Sequence, residues 1–277
     1  MINGNTDIIA HIGYPTHTFK SPMIYNPYFE SAGINAVVVP MGCKPEHYPA
    51  FLKSVFTLEN IRGALITMPH KVTTVGLLEE VTATVRVAGA CNAVKRLADG
   101  RLVGDMFDGA GFVRGVQRKG FDLTGKRVLV VGTGGVGCAI AASLAGAGIA
   151  AISLFDVNTA GCEALAQRLK NNYPQIDVRT GSNDPVDHDL VVNATPMGMN
   201  EGDPLPMDVS RLSPETFVGE VVMKAEITAF LVAAQARGCR TQVGTDMLYE
   251  QIPAYLEYFS LPTTTAEVLR RGAKLSY

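Results

Sequence analysis

The chain has 277 residues, 24 Lys and Arg against 26 Asp and Glu, a formal net charge of -2, and 47% hydrophobic content, enough for two ordinary domains or one large one. The near balance of charge and the lack of any Lys/Arg-rich run argue against nucleic acid or an anionic membrane as the main partner. No stretch approaches the roughly 20 apolar residues of a spanning helix, and the N-terminus, with Asp7 and no long apolar run, does not read as a signal peptide.

In chain order, residues 7–12 form a short apolar strand ending at Gly13. Pro22 starts a helix over 22–31 and Gly33 stops it, the expected asymmetry of helix ends. A β-branched run at 36–40 reads as a buried strand, 46–56 as a helix, and 61–67 as another strand. Residues 71–78 and 82–87 read as short helices. Segments 90–96 and 101–105 flank Ala98-Asp99-Gly100, a hairpin signal. A helix over 107–119 leads into the most informative stretch, Lys126 to Gly137, KRVLVVGTGGVG.

There, the apolar run Val128 to Val131 stops at a glycine cluster, and a small-residue helix follows. Gly132, Gly134 and Gly137 fit G-x-G-x-x-G, with Gly135 and Val136 between them. The first glycine allows a tight turn, the second lets the backbone approach a pyrophosphate, and the third lets helix and strand pack closely. The helix N-terminus then offers free N–H groups and partial positive charge to phosphates. A second strand, 151–155, ends at the acid Asp156. An ordinary glycine-rich turn is the plainer reading, but strand, helix, second strand and acid together favour a dinucleotide site. Beyond it lie a helix at 160–171, strands at 189–194 and 217–222, a helix at 227–237, an extended piece at 241–243, and helices at 247–259 and 265–275. The alternation implies α/β architecture with mostly parallel strands. The last helices have no strand partners after them, so they are expected to pack back on the N-terminal domain. That gives a discontinuous substrate domain, 1–107 with 246–277, and a Rossmann domain, 108–245.

Cys43, Cys91, Cys138, Cys162 and Cys239 are scattered without C-x-x-C spacing and read as buried small hydrophobes in a reducing compartment. The expectation is a cytoplasmic protein, monomer or homodimer. His11, His17, His47, His70 and His188 lack the paired spacing of a zinc cluster, so no metal is expected. No G-x-S-x-G elbow points to a hydrolase.

Five ordered stretches carry a resemblance. They are Gly13-Tyr14-Pro15 leading to Lys20-Ser21-Pro22; Thr67 to Lys71, TMPHK; Gly104 to Gly109, GDMFDG; Asn193 to Met199, NATPMGM; and Met247 to Gln251, MLYEQ. With them the chain resembles the shikimate/quinate dehydrogenase family over nearly its whole length. The resemblance implies an N-terminal α/β domain that binds a cyclitol carboxylate, a Rossmann domain for the nicotinamide cofactor, and a cleft between them. It implies Lys71 as the essential lysine and Asp108 as the essential aspartate. Oxidising a secondary alcohol requires loss of the hydroxyl proton as hydride leaves carbon, and a lysine can take and return that proton if its pKa is drawn below the usual value of about 10.4. Burial lowers such a pKa and a nearby aspartate raises it, so Asp108 is assigned mainly to positioning. On residue type alone, Lys71 would be a helix-start surface lysine and Asp108 a helix cap. Thr67, Asn92 and Gln251 match positions that bond ring hydroxyls, and Ser21 matches a carboxylate-binding serine, though it also suits a helix N-cap before Pro22. Asn193, Ala194, Thr195, Gly244 and Met247 fall on the cofactor side, the methionine against the nicotinamide ring.

The departures carry information too. The family's first carboxylate-binding serine aligns with Phe19, with Thr18 beside it as a substitute, and its tyrosine on the other side aligns with Met223. Leu65 replaces the asparagine of N-V-T, Ala93 follows Asn92 in place of threonine, and Met106-Phe107 replaces Asn-Thr. The substrate is therefore expected to differ from shikimate at its carboxylate end, with quinate or another hydroxylated ring acid in view, or shikimate turnover to be weak. NADP-dependent members usually carry Asn-Arg-Thr where this chain has Asp156-Val157-Asn158, so NAD is expected over NADP; if Asp156 only caps the next helix, the choice is open. Two competing readings are an NAD-binding sensor with a decayed substrate site and a folate-linked methylene dehydrogenase on a similar frame. The retained Lys71 and Asp108 weigh against the first, and the polyol-pocket residues against the second.

Overall fold

The computed structural model describes residues 2–275. The chain forms two compact units: one runs to Phe107 and resumes at Gln251, and the other is Asp108–Glu250.

The first unit contains β1 (Asp7–Gly13), α1 (Pro22–Ser31), β2 (Ala36–Gly42), α2 (Tyr48–Val55), β3 (Ile61–Ile66), α3 (Lys71–Val75), β4 (Glu80–Val81), α4 (Ala83–Ala88), β5 (Ala93–Arg96) and β6 (Leu102–Asp105). Its six-stranded sheet has the order β2-β1-β3-β5-β6-β4. β1 is parallel to β2 and β3, whereas β5 runs antiparallel to both β3 and β6. The hairpin at Asp99-Gly100 produces this antiparallel section, with Gly100 at φ +90°. Ile9, Ile12, Val38, Ala64 and Ile66 are buried between sheet and helices.

The second unit contains α5 (Asp108–Arg118), β7 (Arg127–Val131), α6 (Gly135–Gly146), β8 (Ala151–Phe155), α7 (Thr159–Asn172), β9 (Asp177–Thr180), β10 (Leu190–Asn193), β11 (Phe217–Glu220), α8 (Ala229–Ala236) and β12 (Arg240–Gln242). The sheet order is β12-β11-β10-β7-β8-β9, with every neighbouring pair parallel. Counted from β7, this is the 3-2-1-4-5-6 order of the dinucleotide-binding fold, whose switch point lies between β7 and β10. Central parallel strands are covered on both faces, which is why Val128–Val131 and Leu190–Val192 are continuous apolar runs. α6 can be almost wholly small or apolar, GVGCAIAASLAG, because it is buried nearly all round.

The unit boundary falls within α9 (Gly244–Tyr258), and α10 (Ala266–Gly272) belongs to the first unit. The last segment is tied in by Tyr28 Oη, which donates to the Pro262 carbonyl at 2.9 Å, and by the Lys274 N–H, which donates to the Met23 carbonyl at 2.9 Å. α9 starts at Gly244, three residues before the expected 247, and Gly244 lies against the Val222 carbonyl with no room for a side chain. β4 and β9 were not expected. β4 has only two residues, and β9 is an edge strand with one buried side chain, Val178, so neither carries an apolar signal. α3 ends at Val75 rather than 78, and β5 begins at Ala93 rather than 90.

All five cysteines are free and buried, as expected of small hydrophobes. Among the described residues no helix is long and apolar enough to cross a membrane, and no group of His, Cys, Asp and Glu is placed to hold a metal ion.

Candidate functional site

The glycine turn after β7 is built for close approach. Gly132 sits at φ +98°, and its N–H donates to the Phe155 carbonyl at 2.8 Å. A Cβ on Gly132 would lie 2.7 Å from the Ala194 carbonyl carbon, and one on Gly137 would run into the Gly132 carbonyl. Gly134 differs: it is the N-cap of α6, and a Cβ there would meet nothing within 4 Å. The first and third glycines therefore close the turn, while the second faces open space. Gly135 and Val136 form the first turn of α6, where N–H groups lack intrahelical acceptors. This cradle fits the phosphates of a dinucleotide.

Asp156 follows the end of β8. Its Oδ2 accepts from the Thr133 N–H at 2.6 Å and the Thr133 hydroxyl at 3.1 Å, and its Oδ1 accepts from the Asn158 N–H at 2.9 Å. It does not cap α7; Asn158 does, accepting from the Gly161 N–H at 3.1 Å. The carboxylate thus braces the glycine turn. Arg168 Nη2 stands 3.9 Å from Cys138 Sγ, in the first turns of α6.

Beside the glycine turn runs the loop after β10. Asn193 is fully buried, and its Oδ1 accepts from the Thr195 N–H at 3.1 Å and hydroxyl at 2.6 Å, while Nδ2 donates to the Met197 carbonyl at 3.1 Å. These bonds shape the loop after β10. Ala194 and Thr195 touch the place where a Gly132 side chain would be. Met247 is buried in α9.

In the first unit, several expected residues gather at the C-terminal ends of β1 and β3. The Thr67 N–H donates to the Ile12 carbonyl at 2.9 Å, the Ile66 N–H to the Asn92 carbonyl at 2.8 Å, and the Cys91 N–H to the Lys71 carbonyl at 2.9 Å. These bonds hold Thr67, Lys71 and Asn92 side by side. Tyr255, one turn after Gln251 on α9, donates to the same Asn92 carbonyl at 3.2 Å. Asn92 Oδ1 accepts from the Phe107 N–H at 2.9 Å, and Asp108, buried, is the next residue and opens α5. His70 is turned away from its neighbour Lys71: its ring stacks on Tyr48 at 3.9 Å, and Nε2 pairs with the Cys43 carbonyl.

At the other side of this cluster, Phe19 stacks on His11 with ring centroids 4.2 Å apart. A Cβ on Gly13 would fall 2.9 Å from Phe19 Cζ and against the Thr67 methyl, so only glycine fits between them. The Thr18 hydroxyl donates to the Pro15 carbonyl at 3.1 Å, so its proton is already engaged. Ser21 occupies the N-cap of α1 yet makes no side-chain cap bond, which leaves its hydroxyl to other work. His11 is buried, and burial, followed by the charge of Lys71, depresses its pKa to about 3, so the imidazole is neutral. In this unit the buried polar atoms His11 Nδ1, Asn92 Nδ2, Gln251 Oε1 and Tyr25 Oη have no hydrogen-bond partner among the described residues. The role of His11 was not foreseen, because a single histidine in an apolar strand reads as core.

Residues 11–94 match the family model for the shikimate dehydrogenase substrate binding domain. A shikimate dehydrogenase (NADP(+)) from Rubrobacter xylanophilus is 33% identical over 90% of this chain and 89% of its own. The chain belongs to the shikimate dehydrogenase family. Among solved structures, shikimate 5-dehydrogenase from Listeria monocytogenes, in complex with shikimate and NAD, aligns with TM-score 0.87 at 26% identity and covers 98% of this chain and 97% of its own. Quinate dehydrogenase from Corynebacterium glutamicum, in complex with NAD, aligns with TM-score 0.86 at 28% identity over 96% of this chain and 98% of its own. Within this shikimate dehydrogenase fold, the aromatic pair Phe19–His11 stands beside Ser21, where the sequence departs from the family pattern.

Proposed function

We propose that the protein catalyses reversible hydride transfer between a nicotinamide dinucleotide, NAD in preference to NADP, and a secondary hydroxyl of shikimate, quinate or a related hydroxylated ring carboxylate. The observation that carries this reading is the set of unpartnered buried atoms on His11, Asn92 and Gln251 in the same unit as Lys71 and Thr67. Buried polar atoms without partners cost about 1–3 kcal/mol each, and a ring bearing several hydroxyls would supply what each lacks. The glycine turn at Gly132, Gly134 and Gly137 would hold the dinucleotide, which would supply the hydride acceptor or donor. Lys71 takes up the hydroxyl proton and gives it back, and Asp108 positions the lysine and a substrate hydroxyl. Asn92 and Gln251 orient the ring by bonding its hydroxyls, so that analogues lacking them leave these atoms unpaired. Ser21 takes part of the carboxylate. Phe19, in contrast, presents an aromatic face, which favours substrates whose acid end differs from that of shikimate.

The cofactor preference rests on Asp156. A second negative charge about 5 Å from its carboxylate costs roughly 3 kcal/mol at an effective dielectric near 20, so the 2′-phosphate of NADP is disfavoured where the ribose of NAD is not. The competing reading follows the NADP(+) named for the Rubrobacter relative and the proximity of Arg168 to the glycine turn. Initial rates on a panel of shikimate, quinate and other ring polyols, with each cofactor, test both. We expect NAD to be used faster, and Asp156→Ala to narrow the gap. Equal use of NADP by the wild type would refute the charge argument. NAD binding without turnover of any substrate would instead favour a sensor.

A further inference from the structure

The acid that ends β11, Glu220, has no part in the reading above. It is 1% exposed, at the C-terminal edge of the parallel sheet and in register with Asn193 on β10. Its Oε1 accepts from the Thr228 hydroxyl at 2.7 Å, and Thr228 is the N-cap of α8. Asn193, its register neighbour on β10, lies beside it. Oε2 is buried and unpartnered.

Asn193 is committed to its own loop. One N–H goes to the Met197 carbonyl, while the oxygen takes the Thr195 N–H and hydroxyl. The same loop supplies Ala194 and Thr195 as the wall against Gly132, and Gly198, at φ +100°, lies over Thr228. Glu220 thus bonds the cap of α8 and neighbours the loop after β10, which in turn walls the glycine turn.

We propose that Glu220 is a positioning residue of the dinucleotide site: lying beside Asn193 and bonded to Thr228 under Gly198, its carboxyl group fixes the 193–198 loop against the glycine turn. The proposal rests on the dinucleotide reading but not on the substrate or on the preference for NAD. Burial pushes the Glu220 pKa up to about 7, against the lowering effect of the Thr228 hydroxyl and the nearby Asn193 amide. No charged group contributes to that shift. Asp203 in the adjoining loop accepts from the Gly198 and Asn200 N–H groups, and Asp246 on α9 pairs with Lys119 at 3.1 Å. An ionised Glu220 would be a buried charge without a cation, and it would be relieved by opening of the loop toward water. The neutral form holds the loop closed.

The test uses the full chain and two readouts: amide exchange at residues 194–198 of the ligand-free protein, corrected for the intrinsic pH dependence of exchange, and NADH affinity by fluorescence titration between pH 6 and pH 8.5. Wild type is expected to lose NADH affinity about fivefold across this range, with loop exchange rising in step. Glu220→Gln, which keeps the shape and cannot ionise, is expected to bind NADH at pH 6 within twofold of wild type and to be flat with pH in both readouts. Glu220→Ala is expected to speed loop exchange at least tenfold and to weaken NADH binding at every pH. If Glu220→Gln keeps the wild-type pH dependence, or if folded Glu220→Ala leaves loop exchange and affinity unchanged, the proposal is overturned. Should Glu220→Ala not fold, the Glu220→Gln profile decides alone. Failure of the wild type to bind NADH would be a failure of the dinucleotide reading instead.

Discussion

His11 offers a direct test of the electrostatics around the substrate cluster. It is 5% exposed, stacked on Phe19, and its pKa falls from 6.5 to about 3, first through burial and then through the charge of Lys71. A histidine neutral in the folded state and protonated in the unfolded one removes stability as pH falls. The unfolded chain binds the extra proton below 6.5, whereas the folded chain does not until about 3. The contribution is thus present above 6.5 and is lost progressively on the way down to about 3. With about 1.36 kcal/mol per pH unit, the loss between pH 7 and pH 5 comes to about 2 kcal/mol. His11→Phe keeps a ring against Phe19 and removes the titration. Urea denaturation at both pH values would measure it, with amide exchange along β1 assigning the transition to the first unit. The variant should lose about 2 kcal/mol less than wild type between pH 7 and pH 5. Parallel losses in the two proteins would show that the imidazole is hydrated or charged in the native state, and the neutral-histidine argument would fall.

Three further outcomes follow from the site. Lys71→Met should lower kcat at least about 100-fold, in line with the loss of a general acid/base, while NADH titration finds its affinity unchanged; a mild loss of kcat would assign proton transfer elsewhere. Phe19→Ser returns a hydroxyl beside Ser21, and since a hydrogen bond to a charged group is worth about 1.5–3 kcal/mol, KM for shikimate should fall about tenfold with kcat little altered; an unchanged KM in steady-state assays would remove Phe19 from the acid end of the site. Gly137→Ala drives a methyl into the Gly132 carbonyl and should cost at least about 1–3 kcal/mol of stability, whereas Gly134→Ala meets no atom within 4 Å and should leave the melting temperature unchanged while weakening NADH binding.

The second unit was legible because its constraints are local. A parallel strand covered on both faces must be apolar throughout, and a turn whose Cβ positions collide with backbone must be glycine, so Val128 to Gly137 announces both strand and turn. Asp156 ends the second strand in the sequence pattern, but its bonds from Thr133, which brace the turn, have no signal there because they depend on how the two βα turns meet. β9 was not legible because an edge strand needs only one buried residue, and Asp177–Thr180 has only Val178. Glu220 escaped because an acid ending a strand reads as solvent-facing. Only the packing of α8 over β11 makes it buried, and that contact joins residues far apart in type and spacing from any motif.

The first unit shows a different limit. Its residues were found through ordered motifs, and spacing alone gives no reason for Thr67, Lys71 and Asn92 to meet. They meet because β3 lies between β1 and β5, so that the residues just beyond the strand ends share one edge of the sheet. What the chain leaves unpaired there separates two modes of recognition. At the glycine turn the polar groups offered are backbone N–H, and the nearby Asn193 side chain bonds Thr195 and Met197 of its own loop. A dinucleotide read mainly by backbone needs only the turn geometry, and geometry of this kind is written in glycines. In the first unit His11, Asn92 and Gln251, drawn from a strand, a strand end and a helix, carry buried side-chain atoms without a partner among the described residues, as does Tyr25 on α1. A ligand read by side chains from three separate elements is specified by their tertiary meeting. Substrate choice therefore hangs on replacements such as Phe19 against His11, which leave the fold unchanged and alter only which partner those atoms will accept.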